Sequence, residues 1–328
     1  MIRGRWNGSC VVMLQLFRRF SSVKVNTGDV PSIIVNNKSY KPDEWTNVPN
    51  SILQLTNRKL HLDENHPIGI LRSLIEDRFK GLGYTYYNEF EPVVSTFENF
   101  DVLNFPKDHP GRSKSDTYYL NKDMLLRTHT SAHEYACFKK CETPGYFISA
   151  DVYRKDEIDK THYPAFHQME GARIWERSKD FEQKIKDDIN AIPKLDMIVE
   201  DDFPCFDPIT NPKQDYMTPN EVELVSTHLK RTIELLIYQV FSAAKENAII
   251  EKKINGKISV DEAFLNEPLR VKWIPDYFPW TAPSWEIDVW WKGEWLECCG
   301  CGLVRQKILT NSGISPNTVG WAFGVGLD

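Results

Sequence analysis

Between Ser149 and Gly171 the chain reads SADVYRKDEIDKTHYPAFHQMEG. Arg154 offers a forked guanidinium suited to two-point contact with a phosphate or carboxylate, and His162, Gln168 and Glu170 offer donors and acceptors on nearby positions. That is chemistry for holding a small charged ligand. An apolar run closes at Tyr153, a dense polar segment follows, and the chain returns in alternation through Tyr163, Ala165, Phe166, His167, Gln168 and Met169. This spacing predicts two antiparallel strands joined by a charged loop. As charges alone, Lys155, Asp156, Glu157, Asp159 and Lys160 read more readily as a solvated hairpin tip.

A second group lies upstream at Leu125-Leu126-Arg127-Thr128-His129-Thr130-Ser131-Ala132-His133. An apolar strand end running into hydroxyls and two histidines predicts a strand-to-helix joint, where free backbone N–H groups and Ser or Thr oxygens can meet a polar ligand. Without further context it is a helix cap. Nearer the C-terminus, Ser284 to Trp291 and Glu294 to Gly302 alternate about Lys292-Gly293, a hairpin signal, after a turn at Phe278-Pro279-Trp280-Thr281-Ala282-Pro283. Cys298, Cys299 and Cys301 lack the paired spacing and second ligand pair of a zinc site. The Gly300-Cys301-Gly302 strand end is better read as a pocket floor where backbone must come close to a ligand. His109, in Asp108-His109-Pro110-Gly111-Arg112, reads as loop architecture.

The scaffold around these groups is mixed. Asn65-His66-Pro67 opens a helix with apolar residues Ile70, Leu71, Leu74, Ile75 and Phe79 at helical spacing, Asn capping and Pro in the first turn, stopped by Gly81 and Gly83. A strand is predicted from Tyr84 to Val94, another at Ile33-Ile34-Val35, and the clearest helix over 219–247, begun by Thr218-Pro219. Residues 176–218 are acidic and unpatterned, and read as an insertion or surface loops. With 328 residues and 41% hydrophobic content the chain can build a full core.

Residues 1–28 hold Arg3, Arg5, Arg18, Arg19 and Lys24, no acid, and apolar residues that can line one side of a helix, the composition of a mitochondrial transit peptide. Without those five, 35 basic face 46 acidic residues, a net of −11. So acidic a body excludes general nucleic-acid binding and leaves only a local basic patch for any polynucleotide. No stretch approaches the ~20 apolar residues of a membrane helix, and a reducing matrix as destination argues for thiols at the seven cysteines.

The order around Arg154, then THYPAFHQMEG, resembles motif 2 of the class II aminoacyl-tRNA synthetases, and within them the phenylalanyl enzymes of mitochondria. The helix and strand from Asn65 to Val94 are similar to motif 1, and Gly320-Trp321-Ala322-Phe323-Gly324-Val325-Gly326-Leu327-Asp328 to the start of motif 3. The resemblance covers about residues 62–328. It implies an α+β fold, a mostly antiparallel sheet flanked by helices over 29–328, and activation of phenylalanine with ATP before transfer to mitochondrial tRNA(Phe). It further implies a monomer in the mitochondrial matrix, no membrane partner, and Mg²⁺ bridging the phosphates, with Glu297 a candidate ligand. Arg154 and His162 would be catalytic. His129, Thr130, Ser131, Ala132, His133, Thr161, Tyr163, Gln168, Met169 and Glu170 would line the substrate site. The segment FPWTAPSWE looks like the one whose rings clasp the phenylalanine side chain, here Phe278 and Trp280, with Cys301 a size gate and Gly302 beside it; Trp at 280 in place of the usual Phe should narrow the pocket. The family continues with an arginine that contacts ATP phosphates and with an anticodon-binding domain, neither of which this chain includes. A catalytically deficient nucleotide- or tRNA-binding paralogue is therefore the alternative.

Overall fold

The computed structural model describes residues 31–155, 163–255 and 265–328. The expected transit peptide, Thr161, His162 and the acids and lysine between Asp156 and Lys160 lie outside the described residues. In chain order the elements are β1 (Ile33–Val35), β2 (Lys38–Tyr40), α1 (Asn50–Leu55), α2 (Pro67–Arg78), β3 (Tyr84–Tyr87), β4 (Val93–Ser95), β5 (Tyr119–Asn121), β6 (Met124–Leu126), α3 (Glu134–Lys140), β7 (Gly145–Tyr153), β8 (Ala165–Glu176), α4 (Phe181–Ala191), β9 (Met197–Glu200), α5 (Pro219–Asn255), β10 (Leu269–Asp276), β11 (Thr281–Trp291), β12 (Glu294–Val304), α6 (Gln306–Asn311) and β13 (Thr318–Gly326).

Eight strands form the central sheet in the order β3-β7-β8-β13-β12-β11-β10-β9. Its interior pairs are antiparallel, while β3 and β9 join the two edges in parallel. The α+β expectation holds. So does the hairpin around Arg154, since β7 and β8 pair antiparallel from Gly145↔Arg173 to Tyr153↔Ala165.

Alternation gives this sheet two faces. Met169, Trp285, Cys299, Cys301, Trp321 and Phe323 pack with α2, α4 and α5 in the larger core, whereas Ile148, Ala172, Val304 and Ala322 pack with α3 and α6 in the smaller one. The candidate site opens on this second face. Helix α5 is fixed to the first: Thr218 and Glu221 form a reciprocal cap, with Glu221 Oε2 accepting from the Thr218 N–H at 2.7 Å. Trp321 Nε1 donates to His228 Nδ1 at 3.1 Å, tying α5 to β13.

Several expectations are corrected. The cap of α2 is His66, whose Nδ1 accepts from the Ile68 N–H, rather than Asn65. Ile70 is 53% exposed. The strand expected over Tyr84–Val94 is two: β3 joins the main sheet, while β4 joins β5 and β6 in a separate one. The supposedly unpatterned acidic stretch holds α4 and the edge strand β9, and α5 runs on to Asn255. Thr281, Ala282 and Pro283, expected in a turn, begin β11. No helix among the described residues is long and apolar enough to cross a membrane.

Candidate active site

A cavity of about 540 Å³ opens between the second face of the sheet and the segment linking β6 to α3. Its floor is a row of paired strand positions, Glu170↔Gly324 and Gly324↔Gly300. Because strand side chains alternate, Gln168 and Glu170 face the cavity and Met169 between them does not. Met169 is fully buried in the larger core and is not a lining residue.

The joint above the floor is held by Arg127. Its Nε donates to the Asp151 carbonyl at 2.5 Å, and its Nη1 to Glu91 O at 2.8 Å and to His133 Nε2 at 2.8 Å. Its Nη2 pairs with the Asp151 carboxylate, which also accepts from the Tyr153 hydroxyl. Burial alone would raise the Asp151 carboxyl, but these partners hold it below the usual range. His133 is consequently structural: its ring stacks on Phe90 at 4.1 Å and faces Arg127, away from the cavity lining. Ala132 is likewise core.

Past that anchor the turn delivers His129, Thr130 and Ser131 to the cavity. The hydroxyls expected to cap a helix bond a carboxylate instead. Ser131 Oγ and Thr130 Oγ1 both donate to Glu170 Oε2, the latter at 3.3 Å. Burial raises Glu170 to about 7, against which the two hydroxyls work. Burial also lowers His129 to about 3, helped by the Arg154 charge, so this ring is neutral. Three acceptor oxygens in the cavity wall, Glu134 Oε1, Gln168 Oε1 and Glu170 Oε1, have no hydrogen-bond partner. Arg154 lines the same space with its Nε donating to Thr128 O at 3.1 Å, its guanidinium 5.1 Å from the centre of the Phe166 ring.

The other end is aromatic. Phe278 stacks on Trp280 at 5.9 Å, Trp280 on Phe105 at 5.2 Å, and Phe105 on His129 at 5.6 Å, with His109 edge-on to Phe105 at 4.8 Å. A Cβ on Gly300 would meet Phe278 Cζ at 2.6 Å, so glycine there is what seats the ring. Gly302 serves packing: a Cβ would meet Thr281 Cβ at 2.6 Å, and the residue is absent from the cavity wall. Cys301 reaches the wall but lies in the row of Phe323 and Trp285, 3% exposed within the larger core. Ala322 is a further small residue of the cavity wall, together with Gly300 and Gly324. Tyr163 is 53% exposed and outside the wall.

Glu297 also lines the cavity. Burial raises its neighbour Glu286, and Glu297, Asp276 and Asp288 raise it further, opposed by Lys272. Among the described residues no three His, Cys, Asp or Glu side chains converge as a preformed metal site.

Gly300 lines the cavity as the pocket-floor reading expected, whereas Glu134, Phe105 and Ala322 are lining residues that sequence reasoning missed. Ser131-Ala132-His133-Glu134 has capping-box spacing, which reads Glu134 as part of an ordinary helix start and gives no sign of the cavity. Phe105 carried no signal either.

Residues 52–184 and 244–328 match the profile of the tRNA synthetases class II core domain (F). The chain is 52% identical over 338 residues to the mitochondrial phenylalanine–tRNA ligase of Saccharomyces cerevisiae, covering 95% of this chain and 69% of that protein. It is 36% identical over 307 residues to the mitochondrial enzyme of Dictyostelium discoideum, covering 89% and 58%, and 33% identical over 299 residues to that of Rattus norvegicus, covering 89% and 56%. The chain thus spans between 56% and 69% of the length of these relatives.

Proposed function

The chain belongs to the phenylalanine–tRNA ligase family of class II tRNA synthetases, and from that premise we propose that it activates phenylalanine with ATP and transfers it to mitochondrial tRNA(Phe). One observation carries the reading: the cavity is aromatic at one end, along Phe105, Phe278 and Trp280, and at the other presents three acceptor oxygens without partners. An ammonium has three N–H donors. A free amino acid with an aromatic side chain satisfies both ends at once.

A carboxylate oxygen of phenylalanine attacks the α-phosphorus of ATP, the bond to the bridging oxygen breaks, and pyrophosphate leaves. No general base is needed, because the nucleophile is already ionised. Arg154, fixed through its Nε at the wall, neutralises charge that grows on the α-phosphate in the transition state, and a preorganised donor of this kind is worth about 3 kcal/mol. Gln168, Glu170 and Ser131 hold the ammonium end, and His129, neutral, faces the carboxylate. The terminal ribose hydroxyl of the tRNA then attacks the acyl carbon, AMP leaves, and the hydroxyl proton passes to solvent. His162 would contact phosphates or the tRNA end.

A divalent cation fits the donor set at Glu297 and Glu286, where carboxylates crowd with Lys272 as the cation opposing them. Mg²⁺ held there would neutralise the ATP phosphates. The mitochondrial names of the relatives and the basic, acid-free segment 1–28 support action in the mitochondrial matrix, and the monomer is proposed on the motif resemblance alone.

The test is phenylalanine-dependent ATP–pyrophosphate exchange, run on the chain as it stands and on one carrying the family's continuation past Asp328. Exchange with phenylalanine by either supports the reading. Exchange by neither, with any amino acid, from folded protein would return the binding-paralogue reading.

A further inference from the structure

Glu134 opens α3 with its side chain inside the cavity, 1% exposed, and Glu170 on β8 is 2% exposed in the same wall. Each has one oxygen, Oε1, without a partner. Glu170 at least receives Ser131 and Thr130 on its other oxygen. A carboxylate buried without a partner costs several kcal/mol, and two such charges side by side cannot both ionise.

The groups around the pair do not relieve this. From α3 comes the Cys137 thiol and from β7 the Tyr146 hydroxyl, itself unpartnered; burial and the two carboxyls raise both, so they stay protonated. From the turn before α3 come neutral His129 and His133. Arg154, at the end of β7, is the one cationic side chain in the cavity wall among the described residues, and no hydrogen bond joins it to either oxygen.

We propose that Glu134 holds the one proton of the Glu134 and Glu170 pair while the cavity is empty and releases it when the protonated amine of the substrate binds between them. Glu134 is then a substrate-binding residue, and its Oε1, Glu170 Oε1 and Gln168 Oε1 become the three acceptors for one –NH₃⁺. This rests on the reading that the cavity takes an amino acid. In the empty site Glu134 carries the proton, because burial and the Glu170 charge push it well above the carboxylate range while Glu170 stands at about 7. Arrival of a cation reverses that preference, since an opposite charge within ~4–6 Å favours the ionised acid. The pair therefore selects for an amine by charge as well as by hydrogen bonds, and discriminates against the same aromatic acid without one.

The experiment is titration calorimetry of L-phenylalanine at pH 8 in two buffers of different ionisation enthalpy, on the unaltered chain and on Glu134→Gln. The pH stands above the value of about 7 to which burial raises Glu170, so the proton left on the pair is that of Glu134, and the Glu134→Gln comparison separates it from any other group. The unaltered chain should release about one proton per phenylalanine bound. Glu134→Gln, which keeps the shape and loses the proton, should release none and bind phenylalanine about 10- to 100-fold more weakly, one charge-assisted hydrogen bond. Hydrocinnamate, which lacks the amine, should bind both proteins equally without proton release, and this shows that the variant is folded. Phenylalanine binding without proton release, or with equal release from Glu134→Gln, overturns the inference and leaves the proposed function standing. No phenylalanine binding by the unaltered chain withdraws both.

Discussion

Gly300→Ala isolates the aromatic end of the cavity. The added methyl would stand 2.6 Å from Phe278 Cζ and 3.2 and 3.3 Å from its Cε atoms. Ordinary contact begins at 3.4 Å, so the ring must retreat by about 0.8 Å from the sheet. Phe278 is only half-buried and can swing, which keeps the cost to folding near the lower end of the ~1–3 kcal/mol typical of overpacking. Its retreat, however, is into the space a ligand ring would use. Phenylalanine affinity should fall by about 1–3 kcal/mol, roughly 5- to 150-fold, as read by calorimetry. In a Phe278→Ala background the methyl meets no ring, so the same substitution should cost almost nothing there, and the two changes should be strongly non-additive. If Gly300→Ala leaves affinity within twofold, or costs as much without Phe278 as with it, the seating of this ring on Gly300 is not what shapes the pocket.

Four further outcomes follow from the same geometry. Arg127→Met strands the buried Asp151 carboxylate and should cost about 3–5 kcal/mol in urea unfolding. His228 is 3% exposed and its folded pKa is depressed by burial from 6.5 to about 3, so the unfolded chain takes up its proton first and stability is lost as pH falls below 6.5. His228→Gln should therefore remove about 2 kcal/mol of the loss between pH 7 and pH 5, seen as a flatter stability profile. Arg154→Ala should slow adenylate formation in single turnover on the order of 100- to 1,000-fold while changing phenylalanine affinity far less. Trp280→Phe should improve the affinity for para-chlorophenylalanine relative to phenylalanine in competition binding, because the indole is the larger ring of the stack.

What the sequence disclosed follows from where its patterns are forced. The β7–β8 hairpin is legible because its alternation is long and bounded by charges, and α5 because Thr218-Pro219-x-Glu221 announces its start. β9 was hidden: four residues, half exposed, paired in parallel with a strand about seventy positions away. In the site, Arg154, Gln168 and Glu170 were found through residue type and order. Cys301 was named through the resemblance and does reach the cavity wall, but it stands in the row of Phe323 and Trp285, and the bulge opposite Ile287 and Asp288 that precedes this row leaves no mark in the pattern. His133 was read as a ligand contact because nothing in THTSAH shows that Arg127, two residues upstream of His129, takes it first. Glu134 in a first helical turn looks like an ordinary partner for the helix dipole. Only the burial shows otherwise.

The most direct test of the central claim is pyrophosphate–ATP exchange measured with each amino acid in turn at saturating ATP. The arrangement of an aromatic end and an ammonium end predicts exchange with phenylalanine, reduced with tyrosine, and absent with leucine, alanine and hydrocinnamate. Exchange that prefers an aliphatic amino acid, from protein that folds, would contradict it.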